Sequence, residues 1–236
     1  YFRFAREHRD FYEGAQPAAE LLLLYPRNAV RRGDLEPVAR FKTIGKRLAA
    51  EGYVFDIVPD DIVTDAQVAD RRTVVSFDAG RADLRSASSA KPKGESRAQR
   101  GPTTLRVEAT PADDLVTKWT KDLASVTRRE GAPTVVASLL TQPKRKLVHL
   151  VNYNREEPPK ARNMGSGPHE EKPLAVEKVR VQLALSPGEK VRAVRLFSPD
   201  ADVSQGPVTL TRGRSDEVSF TVPRMLIYTV AVAELE

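Results

Sequence analysis

Residues 20–25 contain four consecutive leucines, so this segment is apolar at successive positions rather than at alternate ones. A strand that is apolar on both faces is typical of the centre of a parallel sheet with helices on each side. Residues 53–58 and 73–77 are two further apolar segments of strand length, and apolar residues at helical spacing run from Leu35 to Leu48. This order predicts parallel strands joined by right-handed crossovers.

The helix between the first two strands has recognisable ends. Asp34 is predicted to cap its first turn, and Gly52 to end it. Only three strands precede residue 81, whereas a full flavodoxin-like sheet has about five. We therefore predict a shortened flavodoxin-like α/β unit over residues 15–80, either truncated or completed by the next segment.

The positive charge of the chain is concentrated in one segment. The net charge is +6, and residues 81–101 alone hold six basic and two acidic residues, a net +4. Because this stretch is rich in Ser, Ala, Gly, Lys and Pro, it buries too little apolar surface to order its backbone. We predict a flexible basic loop over residues 81–102, followed by a connecting strand (103–109) and helix (113–127) within residues 103–131.

From residue 132 the pattern changes to short strands separated by turns, with no helix between them. Seven strands are predicted, at residues 135–140, 147–153, 176–185, 191–197, 208–211, 218–222 and 226–233. Such a series predicts an antiparallel, immunoglobulin-like β-sandwich over residues 132–236. The fold class is therefore α/β plus all-β, with a parallel sheet first and a sandwich second.

Few residues carry recognisable chemistry. The chain has no cysteine, which excludes amidotransferase-type nucleophiles and thiolate metal sites. Residues 26–33 (PRNAVRRG) lack the glycine-rich loop that holds the phosphates of a cofactor. The acidic pairs fall in predicted turns or helix caps, and the three histidines are far apart in sequence. We therefore predict no catalytic, cofactor-binding or metal-binding residue.

Five residues are weak candidates for ligand contact. Asp78 follows the third predicted strand, at the edge of the sheet where ligands of α/β folds bind. Arg31 and Arg32 could hold an anion near a helix start, although a solvated basic loop is the alternative interpretation. Trp119 and Tyr153 could stack on a sugar ring, although packing is the commoner role of such side chains.

Some segments resemble a known family. Residues 148–154 (VHLVNYN), 194–199 (VRLFSP) and 222–232 (VPRMLIYTVAV) together resemble the C-terminal sandwich of barrel glycoside hydrolases such as family 42 β-galactosidases. Residues 20–78 resemble the flavodoxin-type, glutamine-amidotransferase-like middle domain that follows the barrel and often mediates trimerisation. Residues 1–14, with one aromatic face, resemble the helix leaving the barrel. The resemblance implies that the catalytic carboxylates lie upstream, in the barrel.

We therefore expect a non-catalytic accessory or assembly region of a glycoside-hydrolase-like protein acting in carbohydrate metabolism. Its expected partner is an upstream catalytic barrel, and homo-oligomerisation is left open. One alternative is a carbohydrate-binding sandwich. A second is a nucleic-acid-associated protein that uses the basic loop, which the lack of interleaved aromatic residues disfavours. No apolar run approaches the roughly 20 residues that span a bilayer, so we expect a soluble chain, cytoplasmic or exported.

Overall fold

The computed structural model describes residues 1–69, 71–77, 103–106, 127–156, 172–186, 188–213 and 217–236, with residues 103–106 described by their backbone. The predicted basic loop at 81–102 and all but the last residue of the predicted helix at 113–127 lie outside the described residues. Asp78 and Trp119 lie outside them as well.

The described residues form four helices and fourteen strands. The helices are α1 (Phe2–Glu7), α2 (Arg27–Arg31), α3 (Glu36–Ala50) and α4 (Asp65–Ala69), with a 3-10 turn at Arg9–Phe11. The strands are β1 (Gln16–Pro17), β2 (Leu21–Tyr25), β3 (Phe55–Pro59), β4 (Thr73–Ser76), β5 (Thr103–Arg106), β6 (Arg128–Glu130), β7 (Val135–Gln142), β8 (Arg145–Asn152), β9 (Val176–Ala184), β10 (Val191–Phe197), β11 (Gly206–Val208), β12 (Leu210–Arg212), β13 (Glu217–Met225) and β14 (Tyr228–Leu235). None of these described helices is long and apolar enough to cross a bilayer.

The first sheet is parallel, as the leucine run predicts. Its order is β3-β2-β4-β5, and each neighbouring pair is parallel. On one face Ile44 and Leu48 of α3 pack against β2, and on the other face Val63 and Val68 pack against it. The four leucines of β2 are at most 1% exposed because both faces are covered. The prediction of a central strand between helices is confirmed.

The fourth strand of this sheet comes from beyond the predicted basic loop. Residues 103–109 were expected to hold a connecting strand, and β5 forms there and pairs in parallel with β4. Asp34 was predicted to cap α3, but the N-cap residue is Leu35; Asp34 precedes it, and its Oδ1 accepts a hydrogen bond from the Glu36 backbone N–H at 3.1 Å. The segment after the loop thus adds a strand to the parallel sheet.

The remaining strands form two antiparallel sheets. The larger has the order β1-β7-β8-β14-β10-β11, and the smaller has the order β12-β13-β9-β6. Between them lies the main core, which is made of aliphatic side chains and one phenylalanine. Its fully or almost fully buried members include Val135, Leu139, Leu150, Val179, Leu183, Leu196, Phe220, Val222 and Met225. Two antiparallel sheets around one core are what the strand series predicts.

The predicted strand at 208–211 is wrong as a single strand. The chain forms β11 and β12 instead, and these belong to different sheets. Val208 pairs with Val194, whereas Leu210 pairs with Phe220. Both Val208 and Leu210 pack against the same core. Apolar residues therefore alternate without interruption where the chain passes from one sheet to the other. For this reason the sequence pattern does not predict that the strand ends at Thr209.

The N-terminal segment packs on the outer face of the six-stranded sheet. Phe4 of α1 and Phe11 of the 3-10 turn are 8% and 4% exposed, and they contact a cluster that includes Leu147, Val230 and Val232. The aromatic face predicted for residues 1–14 is therefore present, and this sheet is what it covers. The helix is shorter than predicted because it gives way to the 3-10 turn after Glu7.

Candidate functional site

The parallel sheet and the sandwich meet at the end of α3. The Arg129 guanidinium, from β6, donates from Nη2 to the carbonyl oxygen of Ala49 at 2.9 Å, and so caps the helix. Basic side chains at this position complement the unpaired carbonyls of a helix C-terminus. Burial lowers the pKa of Arg129. A bridge between Tyr53 and Arg128 continues the contact between the two parts.

Gly52 allows this junction to close. Its φ of +85° is in the left-handed region, and a Cβ built on it would lie 1.8 Å from the carbonyl oxygen of Arg129. The Gly52 carbonyl accepts a 2.7 Å hydrogen bond from the Arg129 N–H. Only glycine fits both the backbone conformation and the close approach. The two parts are therefore in direct contact through their backbones.

The carboxyl ends of β2 and β3 carry a compact ionic cluster. Arg27 and Arg31 both bind Asp61, with nitrogen–oxygen distances of 2.7 Å. The hydrogen bond from Arg27 holds the pKa of Asp61 below its usual range. The neighbouring Asp60 is buried, and its Oδ1 accepts from the backbone N–H of Asn28 at 3.1 Å. At this edge the acidic pair holds α2 in place.

The structure shows where three of the candidate residues predicted from the sequence lie. Arg31 is bound to Asp61, and Arg32 follows it at the exposed end of α2. Tyr153 follows β8 in the sandwich and is 64% exposed. The described candidates thus lie beside two different sheets, Arg31 and Arg32 at the end of α2 and Tyr153 after β8, so they do not form one site. Asp78 and Trp119 lie outside the described residues, and their roles stay predictions.

Three other carboxylates bind structural partners. Glu20 accepts from the backbone N–H of Thr127 at 3.1 Å, and desolvation raises its pKa. Asp56 pairs with Arg71 at 2.6 Å, and desolvation raises its pKa despite the nearby guanidinium. Asp200 is 8% exposed, and its Oδ2 accepts from the backbone N–H groups of residues 227 and 228 at 2.8 and 2.9 Å. Each of these carboxylates holds a turn or a strand end.

A buried histidine lies under the N-terminal segment. His149 Nδ1 is 2.6 Å from the hydroxyl oxygen of Tyr228, which in turn is 3.1 Å from that of Tyr12. His149 Nε2 is buried and has no hydrogen-bond partner among the described residues. Desolvation lowers the pKa of His149 to about 4 and raises that of Tyr228. The ring is therefore neutral at pH 7, consistent with a structural histidine rather than a proton shuttle.

The four-stranded sheet of the sandwich has one polar outer face. Two rows of side chains cross it in register, and their neighbours are directly paired in the ladder. The first row is Thr211, Ser219, Gln182 and Arg128, and the second is Thr221, Arg180 and Glu130. We call these seven residues the polar face. A groove of about 430 Å³ opens over part of it, walled by Pro207, Val208 and Thr209.

Sequence reasoning missed the polar face, although a signal was present. Residues 217, 219 and 221 alternate with the apolar residues 218, 220 and 222 along β13. That alternation shows that one face of the strand is polar. It does not show which strands lie beside β13, because β9 pairs with β13, and β6 with β9, across long stretches of sequence. No described group of His, Cys, Asp or Glu has the arrangement of a metal site.

Comparison with known proteins supports the fold and leaves the family open. No protein-family model matches the chain, and no curated protein matches it. The structure is similar to that of alpha-L-fucosidase isoenzyme 2 from Paenibacillus thiaminolyticus, with a TM-score of 0.58 and 14% identity. The match covers 100% of this chain and 51% of that one. The chain thus spans about half the length of this solved structure, and the likeness is one of fold.

Two further solved structures share less. A cycloisomaltooligosaccharide glucanotransferase from Paenibacillus sp. has a TM-score of 0.32 and 23% identity, over 42% of this chain and 14% of that one. A GH30 endoxylanase from Clostridium papyrosolvens has a TM-score of 0.26 and 12% identity, over 51% of this chain and 26% of that one. Both resemblances are too partial to support an argument about this chain. The comparisons therefore contribute one result, which is that this chain shares a fold with part of the fucosidase.

Proposed function

We propose that the chain is a non-catalytic accessory region of a carbohydrate-active protein, one that contributes packing and contact surfaces beside a catalytic barrel. The first support is the fold, which spans the whole chain and about half of a solved fucosidase. The strand order β3-β2-β4-β5 supports a flavodoxin-like first part, because it is the beginning of the order 2-1-3-4-5. The two antiparallel sheets support an immunoglobulin-like second part.

The observation that carries the proposal is the use of five buried or half-buried carboxylates in the part of the chain that the structure describes. Glycoside hydrolysis requires two carboxyl groups about 5 to 10 Å apart across a sugar. Asp56 and Asp61 instead bind arginines, and Glu20, Asp60 and Asp200 accept hydrogen bonds from backbone N–H groups. A carboxylate that binds a backbone N–H group or an arginine has fewer lone pairs left for a substrate, and such contacts are typical of structural carboxylates. These five groups therefore serve the fold.

The test is a hydrolysis assay of the purified chain on a panel of chromogenic glycosides that includes fucosides, galactosides and xylosides. We expect release of the chromophore no faster than in buffer. Turnover at enzyme-like rates, abolished by Asp61→Asn or Asp200→Asn, would overturn the proposal. Arg192→Ala is the matched surface control, because it removes an exposed ion pair with Glu234 and Arg192 binds none of these five carboxylates in the described contacts.

Several finer assignments remain predictions. Relationship to family 42, pairing with an upstream barrel and homo-oligomerisation each require the parent protein for a test. The alternative of a nucleic-acid-associated protein depends on residues 81–101, and salt-dependent binding to DNA that disappears when the loop is deleted would support it. The alternative of sugar stacking depends on Tyr153, which is exposed as stacking requires, and on Trp119.

A further inference from the structure

We propose that the polar face, with the groove above it, is a binding site for short neutral glycans. The site consists of side chains from β6, β9, β12 and β13, and none of them was a candidate in the sequence. A volume of about 430 Å³ lies within the usual range of small-ligand sites, about 300–1,000 Å³. The groove lies where β11 passes into β12, so the crossing of the chain between the sheets forms its wall.

The hydrogen-bonding groups of the polar face are fixed before any ligand arrives. Arg180 donates to Ser219 Oγ at 3.1 Å and lies 3.6 Å from Glu130. Arg128 donates to Gln182 Oε1 at 3.2 Å and pairs with Glu130 at 2.8 Å. Side chains held by their neighbours lose less conformational entropy when a ligand binds than free ones do. The face is therefore preorganised for a ligand rich in hydroxyl groups.

The balance of charge favours a neutral ligand. Arg128 and Arg180 are matched by Glu130 and by Glu217, whose Oε2 accepts from Gln182 at 2.6 Å. Counted together with Glu217 at its edge, the polar face has two positive and two negative groups, so it offers both donors and acceptors and little net attraction for an ion. Sugar hydroxyls both donate and accept hydrogen bonds, so they can bind such a mixed array. The carboxylates of Glu130 and Glu217 would repel the negative charges of an acidic glycan.

The groove also offers an apolar surface. Pro207, Val208 and Pro223 line it beside the hydroxyl groups of Thr209 and Thr221. A pyranose ring has one largely apolar face, which can lie against such side chains while its hydroxyls reach the strands. Thr221 and Arg180 are exposed, so the site is open to a chain of sugars rather than closed around a single ring. Glycan binding here does not depend on whether the chain works beside a catalytic barrel.

The test is a nuclear magnetic resonance titration of the full chain with cellohexaose, xylohexaose, mannohexaose and laminarihexaose. We expect at least one of them to give saturable shifts confined to β9, β12 and β13. The double variant Arg180→Ala, Gln182→Ala removes two of the binding groups, and we expect its affinity to fall at least about tenfold. Arg192→Ala, which removes an exposed arginine of the other sheet, is expected to bind normally.

A second variant keeps the test decisive if the double variant is poorly folded. Thr221→Arg fills the groove without removing any of the groups that make the described hydrogen bonds of the polar face, and we expect it to abolish the shifts. Absence of saturable binding to all four hexasaccharides would overturn the proposal. So would binding that persists in both variants. Binding only to oligogalacturonate, lost as salt rises, would contradict the neutral specificity.

Discussion

The protein contains two four-stranded sheets that use their faces differently. In the parallel sheet, residues 21–24 of the central strand β2 are at most 1% exposed, because helical segments cover both faces. In the antiparallel sheet β12-β13-β9-β6, strand β13 alternates buried Val218, Phe220 and Val222 with polar side chains on the outer face. The central strand of the first sheet is covered on both faces, whereas the second sheet has one face packed on the core and one polar outer face.

This difference explains where a site can form. The central strands β2 and β4 of the parallel sheet are buried on both faces. At the carboxyl edge of the sheet the described acids bind arginines and backbone groups. The antiparallel sheet obtains its core from one face alone, so the other face can vary without loss of the fold. Substitutions on the two sheets should therefore differ sharply in their effect on stability, and the predictions below test that difference.

The largest expected effect is that of a cavity in the parallel sheet. Leu23→Ala removes a fully buried side chain between β2 and α3, and we expect a loss of about 3–4 kcal/mol in the free energy of unfolding. Thr221→Ala, on the exposed face of β13, should change it by less than about 0.5 kcal/mol. Urea denaturation measures both. Equal losses would show that the two sheets do not differ as described.

The junction between the two parts should be nearly as sensitive. Gly52→Ala forces a Cβ against the Arg129 carbonyl oxygen at a φ of +85°. We expect a loss of about 3 kcal/mol, from the strained backbone and the contact together. Gly188→Ala is the matched control, since its φ is +86° and no atom lies within 4 Å of the added Cβ. It should lose only about 1 kcal/mol, the cost of the backbone conformation.

The buried histidine predicts a dependence on pH. The pKa of His149 in the folded chain is about 4, below its ordinary value of 6.5, so between these values only the unfolded chain binds the proton. The free energy of unfolding should therefore fall as pH falls from about 6.5, with His149 responsible for about 2 kcal/mol near pH 4.5. We expect His149→Phe to reduce this fall by that amount in denaturant titrations. An identical pH dependence in the variant would contradict the burial of His149.

Local patterns in the sequence predicted most of the elements. The leucine run identified β2, Asp34 and Gly52 marked the ends of α3, and alternation identified the long strands of the sandwich. The pairing of short edge strands was not predictable. β1 and β6 have two and three residues, too few to show a period, and they join the sandwich through long-range hydrogen bonds.

The sites were harder to predict than the fold. Arg31 was noticed as a cation, but its partner Asp61 lies thirty residues further along the chain and meets it only because β2 and β3 are parallel neighbours. The polar face combines residues from four strands, two of which are short. The pairing of the strands brings these side chains together, and no spacing of residues in the sequence predicts that pairing.

If the buried carboxylates serve the fold, removing the charge of Asp200 should destabilise the protein, and this substitution is the most direct test. Asp200→Asn removes the charge that strengthens its two backbone hydrogen bonds and the acceptor that binds the Tyr1 hydroxyl. The measurement is the free energy of unfolding at pH 7, in urea, for the variant and the wild type. We predict a loss of about 1–2 kcal/mol. A gain in stability would contradict the account, because stabilisation on substitution is characteristic of residues kept for function.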